Sequence, residues 1–167
     1  SGASARLFSL VNRQTPPPDH WQQLVQQAAD ALRSGDPDAT ARGKEQLITM
    51  LMGREGRMID LCRRHLDLAD LLQVAGREIG TGFIGGKSVG MLVARAILEH
   101  DEQARFASHL EPHDSFYLGS DLFYSYIIAN GWWRLWIDQK TRRYFEAGEE
   151  LHAKLTDGRF PPDVRDR

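Results

Sequence analysis

Glycine stands at positions 76, 80, 82, 85, 86 and 90, and the run leads straight into the apolar helical stripe Met91, Leu92, Ala94, Ile97 and Leu98. Glycine reaches backbone conformations that cost other residues energy, so the run reads as a tightly turning loop that opens a helix. The first N–H groups of a helix lack partners within it and carry partial positive charge, which attracts phosphate oxygens. Lys87 adds a mobile full charge at the same point. The same spacing admits a bland reading, in which the glycines only turn the chain and Lys87 is solvated.

Two phosphate-binding patterns can be laid on this loop. The Walker pattern needs a glycine six residues before its lysine, where Thr81 stands. The dinucleotide pattern is met by Gly80, Gly82 and Gly85, but it requires a preceding strand that runs into Gly80, and residues 74–79 make a poor one.

Upstream, the sequence is helical. After the stiff Pro16-Pro17-Pro18 spacer, Asp19 is a natural N-cap for a helix that carries Trp21, Leu24, Val25, Ala28 and Leu32 on one face and stops at Gly35. Asp36-Pro37 restarts the chain, and Leu47, Ile48, Leu51 and Met52 line a second helix. Over residues 57–75 the set Ile59, Cys62, Leu66, Ala69 and Leu72 keeps helical spacing, with Arg63, Arg64, Asp67 and Asp70 on the wet face, so a three-helix leader is expected over residues 1–75.

Downstream, Phe116-Tyr117-Leu118 reads as a brief strand, with Ser120 or Asp121 capping a helix that ends at Asn130-Gly131. Trp132, Trp133 and Trp136 then form an aromatic cluster suited to packing. A last helix is expected over residues 141–155, with Tyr144, Phe145, Ala147, Leu151 and Leu155 on its apolar face, and an irregular tail over 159–167.

The 21 basic and 23 acidic residues are intermixed, with a net charge of −2 and no long basic run, which argues against a nucleic-acid partner. No stretch reaches the ~18 apolar residues of a membrane span. The single Cys62 points to a reducing cytoplasm, and Ser1-Gly2 in place of an initiator methionine suggests a cloning remnant or a piece of a longer protein. His109 and His113 flank Glu111 at a metal-like spacing with His100 near, but Pro112 breaks the helix that would aim them, so a solvated loop is expected. Cys62 and His65 share a helical face, yet Cys62 lies on the apolar stripe and reads as structural.

The block Ile84-Gly85-Gly86-Lys87-Ser88-Val89-Gly90-Met91-Leu92 resembles the Gly-Gly-Lys block near the start of the nucleotide-binding domain of the phosphoenolpyruvate synthase and pyruvate phosphate dikinase family. A second block, Ser115-Phe116-Tyr117-Leu118-Gly119-Ser120-Asp121-Leu122-Phe123, is similar to that family's short strand and following helix, in compatible order and distance. The chain departs from the commonest form at Val93, Ala94, Ser115 and Gly119.

The resemblance implies an α+β, predominantly helical chain with little strand, in which residues 76–158 begin an ATP-grasp-like domain. It further implies that Lys87 contacts ATP phosphates; with the helix start beside it, the backbone of Gly85, Gly86 and Ser88 is expected to share that contact, and Ser120 and Asp121 to line the same cleft. The implied cofactors are ATP and Mg2+, the metal ligands lying outside this chain. The implied parent is a phosphotransferase, a dikinase-type kinase whose remaining domains are the fragment's partners. The rival expectation is a helical interaction or regulatory module that binds no nucleotide.

Overall fold

The computed structural model describes residues 20–101, 103, 105–111, 114–141 and 144–165. Helices α1 (His20–Ser34) and α2 (Pro37–Leu51) form an antiparallel pair turned by Gly35 at φ 68°. Asp36 caps α2, its carboxylate accepting from the N–H groups of Asp38 and Ala39, as the Asp-Pro signal implies. The proline spacer and the Asp19 cap lie outside the described residues.

Residues 57–75 do not form one helix. They split into α3 (Arg57–His65) and α4 (Leu68–Gly76), with Leu66 extended between them. Asp67 accepts from the N–H of Asp70 while Asp70 accepts from that of Asp67, a reciprocal capping box. Two acids expected to be merely wet therefore restart the helix, and Leu66 is buried by the turn.

Strand β1 (Glu78–Ile79) leads into the glycine loop, α5 (Gly86–Glu99) follows, and β2 (Tyr117–Leu118) returns parallel to β1, with Glu78 opposite Tyr117 and Ile79 opposite Leu118. This is a parallel crossover in miniature, two residues per strand. Val74, which the dinucleotide reading needs in a strand, belongs to α4. The Ala107–His109 turn lies between α5 and β2.

Helix α6 (Ser120–Ala129) ends at Gly131, φ 73°, and is followed by α7 (Trp133–Thr141), α8 (Tyr144–Asp157) and the short α9 (Pro162–Arg165). Thr141 thus closes α7 rather than opening the last helix. Leu151 is buried; the side chains at 144–147 lie outside the described residues. The tail expected to be irregular carries α9, and Asn130 holds its start, donating to the carbonyl of Arg159 and accepting from its N–H. The aromatic cluster packs edge-on, Phe123 on Trp136 and Tyr126 on Trp132.

The fold is predominantly helical with little strand, as expected. One core joins Leu47, Ile48 and Leu51 of α2, Ile59 and Cys62 of α3, and Leu71 of α4 to Val89, Leu92 and Val93 of α5 and Tyr117 of β2, so residues on both sides of position 76 share it. Each fully buried leucine or isoleucine contributes ~1.5–3 kcal/mol. Among the described residues no helix is long and apolar enough to cross a membrane.

Candidate functional site

The glycine loop is held from both ends. The N–H of Ile84 donates to the carbonyl of Leu51, which ties the loop to the core, and that of Gly119 donates to Ile79. Between these anchors the start of α6 clamps the loop's backbone. Thr81 N–H donates to Asp121 Oδ1 at 2.8 Å, Phe83 N–H to Ser120 Oγ at 3.1 Å, and Asp121 N–H returns to the Thr81 carbonyl at 3.2 Å.

Gly80, Gly82 and Gly85 all lie in the left-handed region, with φ of 83°, 105° and 85°. At Gly80 there is a second reason for glycine: a Cβ would stand 2.5 Å from Asp121 Oδ1 and 2.7 Å from Leu122 Cγ. The loop must pass against α6, and only a residue without a side chain fits.

Gly85 is the N-cap of α5 and supplies no side chain, and the first turn of α5 contains no acid. This distinguishes α5 from α2 and α4, whose caps are carboxylates. Among the described residues, the N–H groups of Gly86, Lys87 and Ser88 therefore point out of the helix without an acceptor. A Cβ at Gly85 or Gly86 would meet nothing within 4 Å, so the space in front of this terminus is open, and Lys87 is exposed beside it.

The six residues singled out from sequence fall into two groups. Gly85, Gly86, Lys87 and Ser88 form the bare helix terminus, while Ser120 and Asp121 clamp the loop from behind. Ser120 and Asp121 also face different cavities. Ser120, with Gly85, borders a cavity of about 330 Å3 whose walls are mostly apolar, among them Phe83, Leu118, Phe123 and Phe160. Asp121 borders a second cavity, about 540 Å3, together with Gly80, Thr81 and residues of α1. Asp121 does not cap α6 in the usual way; its Oδ1 accepts from Thr81 and from Leu122 N–H.

Glu78, which carried no sequence signal, sits in that second cavity. Both of its carboxylate oxygens are buried, with no hydrogen-bond partner among the described residues. Burial, reinforced by the charge of Asp121, pushes its carboxyl up to about 8. A solitary acid between a helix end and a turn shows no periodicity; its burial depends on tertiary packing.

Asp67, Asp70 and His100 place their ligand atoms within 4.8 Å of one another, but the capping box accounts for both acids. This group stands at the far end of α5, ~20 Å along its axis from Gly86. Lys87 and its neighbours offer no carboxylate ligand in the first turn of α5, so the residues present there do not make a Mg2+ site. His109 is exposed and adjoins Ser108, and His113 lies outside the described residues. Cys62 is fully buried, and desolvation raises its thiol, which fits a structural residue.

Comparison with family models, with curated proteins and with solved structures finds no match for this chain.

Proposed function

We propose that the loop over residues 80–88 and the N-terminus of α5 form the phosphate-binding wall of an ATP site, in a chain similar to the nucleotide-binding domain of phosphoenolpyruvate synthase and pyruvate phosphate dikinase. The observation that carries this reading is the bare terminus of α5: no capping side chain, no acid in the first turn, open space over Gly85 and Gly86, and Lys87 exposed at the rim. Three outward N–H groups and one ammonium suit the oxygens of a polyphosphate. The cavity beside Gly85 and Ser120 offers the apolar surface a nucleobase requires, within the size range of small-molecule sites. In this reading the chain supplies one wall only; Mg2+ ligands and the phosphoryl acceptor's site belong to other domains of a parent phosphotransferase acting in the cytoplasm.

The test is an NMR titration of the 15N-labelled chain with tripolyphosphate and with ATP. The amides of residues 85–88 are expected to shift with both, and Lys87→Ala to weaken binding about tenfold, the worth of one charge-assisted contact. Shifts that Lys87→Ala leaves unchanged, or that avoid these amides, overturn the reading.

A second reading, a helical interaction module that meets no nucleotide, is favoured by the apolar surface around the same cavity, where Phe83 and Leu118 are more than half exposed. It predicts no response to either polyphosphate.

A further inference from the structure

A third cavity, about 230 Å3, lies between α4 and α5 with Tyr117 of β2 in its wall. Leu66, Val74, Leu92 and Ala96 give it an apolar lining, and all four are buried. Asp70 and Arg77 border it from α4 and its C-terminal end, and Arg95 and Glu99 from α5. Opposite charges are separated along the cavity, since Asp70 and Arg77 stand ~10 Å apart along the α4 axis and Arg95 and Glu99 ~6 Å apart along α5. Burial raises the Asp70 carboxyl, and the charges of His100 and Glu99 reach it. Burial likewise raises the Tyr117 hydroxyl, and the charges that reach it are those of Arg77 and Arg95. One end of the cavity is therefore acidic and the other basic.

Size and lining select the class of ligand. At the ~30 Å3 share of a water, the cavity takes roughly eight non-hydrogen atoms, the size of valine. Guanidinium forks and a phenol hydroxyl suit a carboxylate, and acids suit an ammonium. Two acids and two bases leave no net charge to gather a simple anion or a simple cation, and the apolar lining suits a short alkyl chain. We propose that this cavity binds a small zwitterion, an α-amino acid with a short apolar side chain, its carboxylate met by Arg77, Arg95 and Tyr117 and its ammonium by Asp70 and Glu99. The site shares no residue with the loop over 80–88 and stands independently of the phosphate reading.

The existing contacts position these groups without exhausting them. Arg95 pairs with Glu99 at 2.6 Å and donates to the carbonyl of Glu111 at 2.8 Å, and a guanidinium carries more N–H groups than these two contacts use. Its side chain is only 22% exposed, so its charge is less screened by solvent than that of a surface arginine. The Arg95–Glu99 pair joins neighbours one turn apart at the rim of the cavity, where such a pair contributes little by itself. Asp70 spends Oδ2 on the N–H of Asp67, which fixes its carboxylate at the acidic end. Gln73 and Arg77, both exposed, leave the cavity open to an entering ligand.

Titration of the 15N-labelled chain with L-valine tests this. Isovalerate, which lacks the ammonium, and isobutylammonium, which lacks the carboxylate, are the matched controls. L-Valine is expected to shift the amides of Arg77, Arg95, Ala96 and Tyr117 with a Kd below about 10 mM, and each control to bind about tenfold more weakly or worse, the loss of one charge-assisted contact. Arg77→Gln, a change at an exposed position, should weaken L-valine about tenfold. Asp70→Asn, which keeps an acceptor for the N–H of Asp67, should weaken it by a similar factor. The proposal is overturned if isovalerate binds as well as L-valine, the outcome for arginines that hold an adventitious anion only. It is equally overturned if L-valine binds both variants as it binds wild type, or if about 50 mM L-valine moves none of these amides, the outcome for side chains that satisfy one another.

Discussion

Replacing Glu78 by glutamine should stabilise the chain in alkaline solution and leave it unchanged in acid. The carboxyl is raised from its ordinary 4.5 to about 8 because burial desolvates its oxygens, which have no partner among the described residues, and because Asp121 is near. Below 4.5 the group is protonated in both folded and unfolded chains and contributes nothing to pH dependence. Between 4.5 and about 8 the unfolded chain gives up this proton while the folded chain retains it, so wild-type stability falls as pH rises across that window. Above about 8 the whole penalty is in place. The full separation corresponds to ~5 kcal/mol at ~1.4 kcal/mol per pH unit. The oxygens are buried but the residue as a whole is only half-buried, and solvent screening through its exposed part reduces the expected effect to ~2 kcal/mol. Urea unfolding of wild type and Glu78→Gln at pH 5, 7 and 9 reads this directly. The two midpoints should coincide near pH 5 and separate by about 1 M at pH 9, with the variant more stable, for a urea dependence of ~2 kcal/mol per molar. A separation that is the same at every pH, or a wild type more stable at pH 9, would refute the assignment of a buried, unpartnered carboxyl.

Gly119→Ala should cost ~2–3 kcal/mol, because its Cβ would collide with the backbone of Thr81 where the loop and β2 lie closest; Gly76→Ala, in open space at the end of α4, should be neutral within ~1 kcal/mol by the same unfolding assay. Equal effects of the two would mean that the loop does not pack on α6 as described. Cys62, fully buried and with its thiol raised by desolvation, should resist a thiol-specific reagent in the native chain and react once urea unfolds it. Full labelling within minutes under native conditions would contradict its burial.

Much of the helical layout was readable in advance because it depends on neighbours in sequence. The stripe over α1, the Asp36-Pro37 restart and the stops at Gly35 and Gly131 are local events, decided by side-chain periodicity, by a carboxylate reaching N–H groups two or three residues away, and by glycine's access to positive φ. The break at Leu66 is equally local, but an acid three residues after another fits a wet helix face as well as a capping box, so periodicity alone runs straight through it. The loop at 80–88 was legible as a turn into a helix, and the uncapped start of α5 at Gly85 follows from the same residues.

What tertiary structure alone decided is the use made of residues far apart in the chain. Ser120 and Asp121 could be placed at a helix start from sequence, but their partners, the N–H groups of Phe83 and Thr81, lie 37 and 40 residues away. Glu78 gives no sign of its state, because desolvation is set by elements that meet only in the folded chain. The sequence by itself determined that a glycine loop opens a helix with a lysine in its first turn, because glycine freedom and helix periodicity act over a few residues. Only packing decided that this loop is gripped from behind by α6 and that the acid before it, Glu78, is buried with no partner among the described residues, because contact and burial depend on elements that meet only when the chain is folded.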